Sequence, residues 1–326
     1  MQTRFSTALF LTLIGATLIG CPGGPKWDVA FDATTDGALS GVWGSGPDDV
    51  WIVGGYTDQA QIFHYDGADW SETDAPAMPL LAWSYGWGPD NAIAVGLQGA
   101  VARWDGNSWT ALDSGETQDL WGVWGASDTD VWIVGGTVGE AGPVILHYDG
   151  AQFTNVGLSQ EQNTRGITSL FKVWGIGGKT FALGETGQVV EYDGAEWVAI
   201  GAGERADQDF VSLWGPSVDN IVAVGGRGNA RIDEYDGTNW TTIAPERTGG
   251  LNAVFMDQED VAIVGGISGY VGAYYPETDE LVPEDALGSG DVHAIWGDGE
   301  GRYYAVGGRF SEPFSGLAVV RTGGYR

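Results

Sequence analysis

From residue 39 onward the chain alternates short apolar runs with polar breaks rich in Gly and Asp, and the runs return in one fixed order. Residues 39–44 and 50–54 read as two strands. Residues 45–49 form the turn between them, because Gly, Pro and Asp favour turn geometry and Asp can cap its own backbone. A connection of variable length leads to a third strand at residues 61–65. Asp66-Gly67 then reads as a tight turn into a fourth strand that begins near Trp70. The order can be followed to the C-terminus through an aromatic anchor, usually followed by Gly, nine or ten residues before a hydrophobic-Gly step. The anchors are Trp43, Tyr85, Trp124, Trp174, Trp214, Phe255 and Trp296. In the second copy Trp87 is more conspicuous, but counting back from Val95 sets the anchor at Tyr85 and leaves Trp87 in the following turn.

The anchors lie 42, 39, 50, 40, 41 and 41 residues apart. Such a period, without the 3.6-residue recurrence of a helical repeat, matches one four-stranded propeller blade per copy. The tight turn recurs as Asp105-Gly106, Asp149-Gly150, Asp193-Gly194 and Asp236-Gly237, each between aromatic residues; copy six has Tyr275-Pro276-Glu277-Thr278-Asp279 in its place. Copy seven ends after a strand at about residues 317–321, before any fourth strand. Ahead of copy one, residues 26–31 hold what the end lacks. Trp27 lies 16 residues before Trp43, and Trp70, Trp109 and Trp240 each lie 15 before the next anchor. The expected fold is all-β: a seven-bladed β-propeller of four-stranded blades over residues 27–326, its last blade closed by the N-terminal strand. Such closure hides sheet edges that would invite aggregation.

Composition agrees with this reading. Fifty-five glycines and 16 tryptophans disfavour helices, since Gly weakens helix interiors and aromatic side chains suit half-buried pleated surfaces. A net charge of −30 alongside 43% hydrophobic and 12% aromatic residues describes a folded body with an acidic surface. Nucleic acid is excluded as a partner by that charge, and anionic lipid surfaces are poor ones.

The first 20 residues read as a signal peptide rather than as part of the fold. They carry one charge, Arg4, before an apolar run over residues 8–19, too short for the roughly 20 residues that span a bilayer. Leu18-Ile19-Gly20-Cys21 resembles the lipobox of bacterial lipoproteins. The resemblance implies cleavage before Cys21, lipidation of Cys21 and a membrane partner through that lipid. Cys21 is the chain's one cysteine, so no disulfide forms within a chain. Residues 21–26 become a lipidated tether, and the mature net charge becomes −31. The expected location is the cell envelope, on the outer membrane.

The Gly-Gly after an apolar strand, followed by Tyr and then Trp, resembles kelch-type propellers. Tyr65-Asp66-Gly67-Ala68-Asp69-Trp70 is similar to the Asp-box of sialidase-like propellers, although it lacks the residue that family places between Asp and Gly. The sialidase-like resemblance would imply an arginine cluster gripping a carboxylate, with a Tyr and an acid beside it. No copy has an Arg-rich strand start.

Repetition marks framework. His64 and His147 occupy the same place before Tyr-Asp-Gly, and acidic turns such as residues 47–49, 127–130 and 218–220 read as capped turns rather than calcium loops. No cofactor, metal or catalytic constellation is expected. Variation points elsewhere. The loops entering the first strand and joining the second to the third share one face of a propeller. They are longest around residues 135–143 and 153–174, and again in copy seven around Arg309, Phe310 and Phe314. Two or three residues before the anchors, this face varies as Trp83, Trp121, Phe171 with Lys172, Asn252 and His293. With Arg309 these are the candidate ligand residues, since exposed aromatics mixed with polar groups suit peptides or sugars. The expected function is a monomeric, non-catalytic envelope module that binds a protein or acts as a scaffold. A lectin-like glycan-binding propeller is the alternative, and a sialidase-like glycoside hydrolase the second.

Overall fold

A computed structural model describes residues 26–140, 142–159, 161–163, 166–200, 208–245, 247–258, 261–284 and 286–323. Cys21, with the expected signal peptide and most of the tether, lies outside the described residues. The chain forms seven antiparallel four-stranded sheets, and the first strands of successive sheets pack against each other around a ring. We number the blades 1 to 7: residues 38–73, 81–113, 120–155, 170–199, 210–243, 251–283 and 291–322. The last sheet takes its fourth strand from the N-terminus. Trp27–Val29 pairs antiparallel with the strand Ser315–Thr322, Trp27 opposite Arg321.

Each anchor holds the same register against the second strand of its blade. Trp43 faces Trp51, Tyr85 faces Ile93, Trp124 faces Trp132, Trp174 faces Phe181, Trp214 faces Val222, Phe255 faces Ile263 and Trp296 faces Tyr304. Second strands such as Asp49–Tyr56 and Asn220–Gly225 are buried along nearly their whole length. Neighbouring blades cover both of their faces, so their apolar runs are continuous instead of alternating.

The repeated aromatic-Gly pair is a joint between blades. A Cβ on Gly86 would lie 2.5 Å from Trp43, one on Gly175 2.6 Å from Trp124, and one on Gly44 2.6 Å from Trp296. At these joints, and at Gly297 with Phe255 of blade 6, the anchor of one blade rests on the glycine of the next, and Trp296 on Gly44 joins the last blade to the first. Blade 2 modifies the scheme. Trp87 lies within the strand Leu81–Gly88, not in the turn after it. Its ring fills the space over Gly125, and its Nε1–H donates to Gly125 O at 2.9 Å. Tyr85 keeps the anchor register, while Trp87 provides the joint to blade 3.

The Asp-Gly turns are framework as well. Asp66 Oδ1 accepts from the backbone N–H of Ala68 and of Asp69, and the same pattern recurs at Asp105, Asp149, Asp193 and Asp236. Gly67 has φ +92°, a left-handed conformation that a side chain would strain. In blades 1, 3 and 5 the preceding Tyr hydroxyl donates to the glycine carbonyl, closing the motif on itself. Blade 6 replaces this turn with a single 3-10 turn, Pro276–Thr278, followed by Asp279 in the left-handed region.

Candidate functional site

Each of the seven innermost strands carries a β-bulge at one position, three residues before the anchor. The extra residues are Ser40, Ala82, Trp121, Phe171, Val211, Asn252 and His293. In an unbroken strand the second and third residues before an anchor would point to opposite faces. A bulge re-aims the chain, and both positions can then contribute to one surface.

They do so at the channel mouth on the face of the strand entries. A cavity of about 350 Å³ is lined by Trp83, Trp121, Phe171, Lys172, Asn252 and His293, with Asp209, Val211, Gly226, Arg227 and Ile267 completing the wall. Six of the seven candidate ligand residues thus meet around one cavity. Arg309 does not; it is exposed at the end of the strand Arg302–Arg309, opposite Ser315. Its neighbour Phe310 does reach inward, with its ring 4.9 Å from that of His293.

The floor is made by two side chains. The second position before the anchor is Gly, Ser or Ala in five blades, but Trp83 in blade 2 and Lys172 in blade 4. Gly122 occupies it in blade 3, between them. A Cβ there would stand 3.0 Å from Lys172 Cα, so the absent side chain leaves the path across the channel open. Lys172 Nζ lies over the Trp83 ring, 2.7 Å from its centroid. Below this pair the channel holds only a void of about 20 Å³ between the anchors.

The polar groups of the mouth are largely committed to hydrogen bonds within and between blades. Asn252 Nδ2 donates to Val292 O at 3.2 Å, from blade 6 to blade 7. Trp121 Nε1 donates to Gly136 O at 3.0 Å. His293 Nδ1 is 2.8 Å from Ser40 O, which can only accept, so Nδ1 carries the hydrogen. Burial lowers the His293 pKa; the bond to Ser40 opposes the shift, and Lys172 nearby reinforces it. The neutral ring therefore keeps Nε2 as an acceptor. Asp209 accepts from Thr186 N through Oδ1 and pairs with Arg227 through Oδ2. Lys172 differs from all of these. Burial drives its amine well below the usual lysine range, and among the described residues it has no ion pair with a carboxylate.

No protein-family profile matches the chain, and no curated protein does. Solved structures match over most of its length. The chain is similar in fold to YCF48. A structure titled "YCF48 bound to D1 peptide" superposes with a TM-score of 0.66 over 91% of this chain and 96% of that one. YCF48 from Cyanidioschyzon merolae gives 0.67 over 91% and 98%. Identity is 12% in both, so the likeness shows the seven-bladed fold.

Other sequence candidates fall into place as framework. His64 Nε2 lies 2.7 Å from Asp49 Oδ1, and its ring stacks on Trp51; His147 makes the same contact with Asp130, its ring tilted against Trp132. An arginine cluster is not what lines the mouth: among the described residues Arg227 alone does so, paired with Asp209. Among the described residues, the long loops at residues 135–143 and 153–169 contribute no lining residue, and from the stretch ending at Trp174 only Phe171 and Lys172 do. Asp209 carried a legible signal that the variable positions concealed. An Asp stands five residues before the anchor in blades 3, 5 and 7. Asp119, Asp209 and Asp291 each accept the backbone N–H of a left-handed residue, Gln98, Thr186 or Ser268, in the preceding blade.

Proposed function

We propose that this chain is a non-catalytic protein-binding module of the cell envelope, anchored by lipid on Cys21, that takes a peptide segment of its partner into the entry-face cavity. The observation that carries the reading is the convergence of Trp83, Trp121, Phe171, Asn252 and His293 on one opening. These residues come from five different blades and none repeats its counterpart, whereas the framework positions repeat. A concave, largely apolar surface with aromatic rings and a few fixed polar groups suits an extended peptide. A propeller of the same fold, YCF48, has been solved bound to a D1 peptide, which supports a protein partner for this chain too.

The test is a pull-down from envelope extract with wild type beside a Trp83→Ala/Trp121→Ala variant, both checked for an intact fold by circular dichroism. A partner retained by wild type and lost by the folded variant is expected. Equal retention by both would move the binding surface away from the cavity.

A further inference from the structure

We infer that the cavity recognises a carboxylate of its peptide, with Lys172 as the group that receives it; this rests on the peptide-binding reading above. Lys172 is 6% exposed, lies on the floor of an open cavity, and has an aromatic ring, Trp83, against its amine. Burying an ammonium is costly unless a counter-charge compensates, and buried lysines are rare unless paired. The ring face of Trp83 offsets part of that cost. A full counter-charge is missing among the described residues.

Every other charged wall residue already has its partner. Arg227 is matched by Asp209, whose second oxygen is taken by Thr186 N. Among the described lining residues Lys172 is therefore the one basic group without a counter-charge, on a chain of net charge −30. A surface so acidic repels anions at long range, so a basic group buried on the floor of this aromatic-walled cavity is a specific feature. Its shape also limits what fits. Trp83, Trp121 and Phe171 wall the amine with apolar surface, which suits a carboxylate carried on an apolar or aromatic segment. His293 Nε2 and Asn252 Oδ1 supply acceptors for the backbone N–H groups of such a segment. Burial of the amine sharpens selectivity: an arriving carboxylate supplies the counter-charge that favours the protonated amine and forms a charge-assisted hydrogen bond with it, whereas a neutral amide in the same place supplies no charge.

The carboxylate could come from a chain terminus or from an Asp or Glu side chain, and the experiment separates the two. Three N-acetylated tetrapeptide libraries are offered to the intact mature protein: free acids lacking Asp and Glu, the corresponding C-terminal amides, and amides that carry one Asp or Glu. Bound peptides are quantified by mass spectrometry and the strongest are titrated by calorimetry. Binding of the first or third library at least tenfold tighter than the second is expected, and whichever binds identifies the source. Lys172→Met should abolish that preference while Lys172→Arg preserves part of it, with circular dichroism confirming the fold of each. Equal binding of all three libraries would overturn the carboxylate site and leave peptide binding standing. Binding of none would overturn both, whereas binding of glucuronic acid in their place would overturn the peptide reading and assign the carboxylate site to acidic sugars. If either variant fails to fold, the comparison of acid with amide on wild type still decides.

Discussion

Trp27 donates its indole N–H to Glu284 Oε2 at 2.7 Å, tying the first described strand to the segment that follows blade 6. The other oxygen of Glu284 lies 3.5 Å from Arg321 Nη2, and Trp27 and Arg321 face each other across the sheet that closes the ring. One carboxylate thus holds both partners of the closure. Val29, at the far end of the short strand, is 71% exposed, so little apolar burial secures that end.

Replacing Glu284 by Ala should cost about 1–3 kcal/mol, because it leaves a half-buried indole N–H without its acceptor and deprives Arg321 of a charge partner. Deleting residues 21–32 should cost more, since the strand itself is lost and blade 7 gains an open edge. Urea unfolding of both variants checks this; an unchanged midpoint for the deletion would show that the ring does not depend on its N-terminal strand.

At the joint between blades 3 and 4, Gly175→Ala would place a methyl group 2.6 Å from the Trp124 ring. The ring cannot retreat without opening the interface, and overpacking of this kind costs about 1–3 kcal/mol. Trp124→Ala removes the other half of the joint and should cost on the order of 3–5 kcal/mol. The double variant, measured by the same unfolding curves, should lose less than the sum of the two, because the methyl group then has space.

The five turn aspartates are held below the usual carboxylate range, first by the backbone N–H three residues on and then by the one two residues on. In the unfolded chain they take up protons near pH 4 (~3.9), and in the folded chain only at lower pH. Their stabilisation is therefore present above pH 4 and lost as pH falls through the folded values. Thermal midpoints should fall steeply below about pH 4. Exchanging all five for Asn, which keeps the capping oxygen and cannot titrate, should flatten that fall; an unaltered acid limb would assign the titration to other groups.

If the proposed lipid anchor holds, Cys21→Ser should shift the protein from the membrane fraction to the soluble fraction after cell breakage, because the variant lacks the thiol proposed to receive lipid. Continued sedimentation with membranes would defeat the lipobox reading.

The repeat, the seven anchors, the tight turns and the closing strand were all legible in the sequence, because each is local or returns at a fixed interval. Trp43 and Gly44 advertise a blade wherever their pair recurs, and Trp27 can be matched to the missing end by counting. The site was legible only as a list of departures from the pattern. That Trp83 and Lys172 touch depends on ring curvature, which brings blades 2 and 4 within reach across Gly122. That Trp121, Phe171, Asn252 and His293 share a wall depends on bulges that no alternation of apolar and polar residues encodes. Arg309 and the long loops at residues 135–143 and 153–169 vary just as much and stand apart from the cavity, because loop length says nothing about the direction in which a loop leans. The sequence alone therefore determined the blade and its number, since those follow from spacing along the chain. Only the tertiary structure decided which variable residues face one another, since that follows from spacing around the ring.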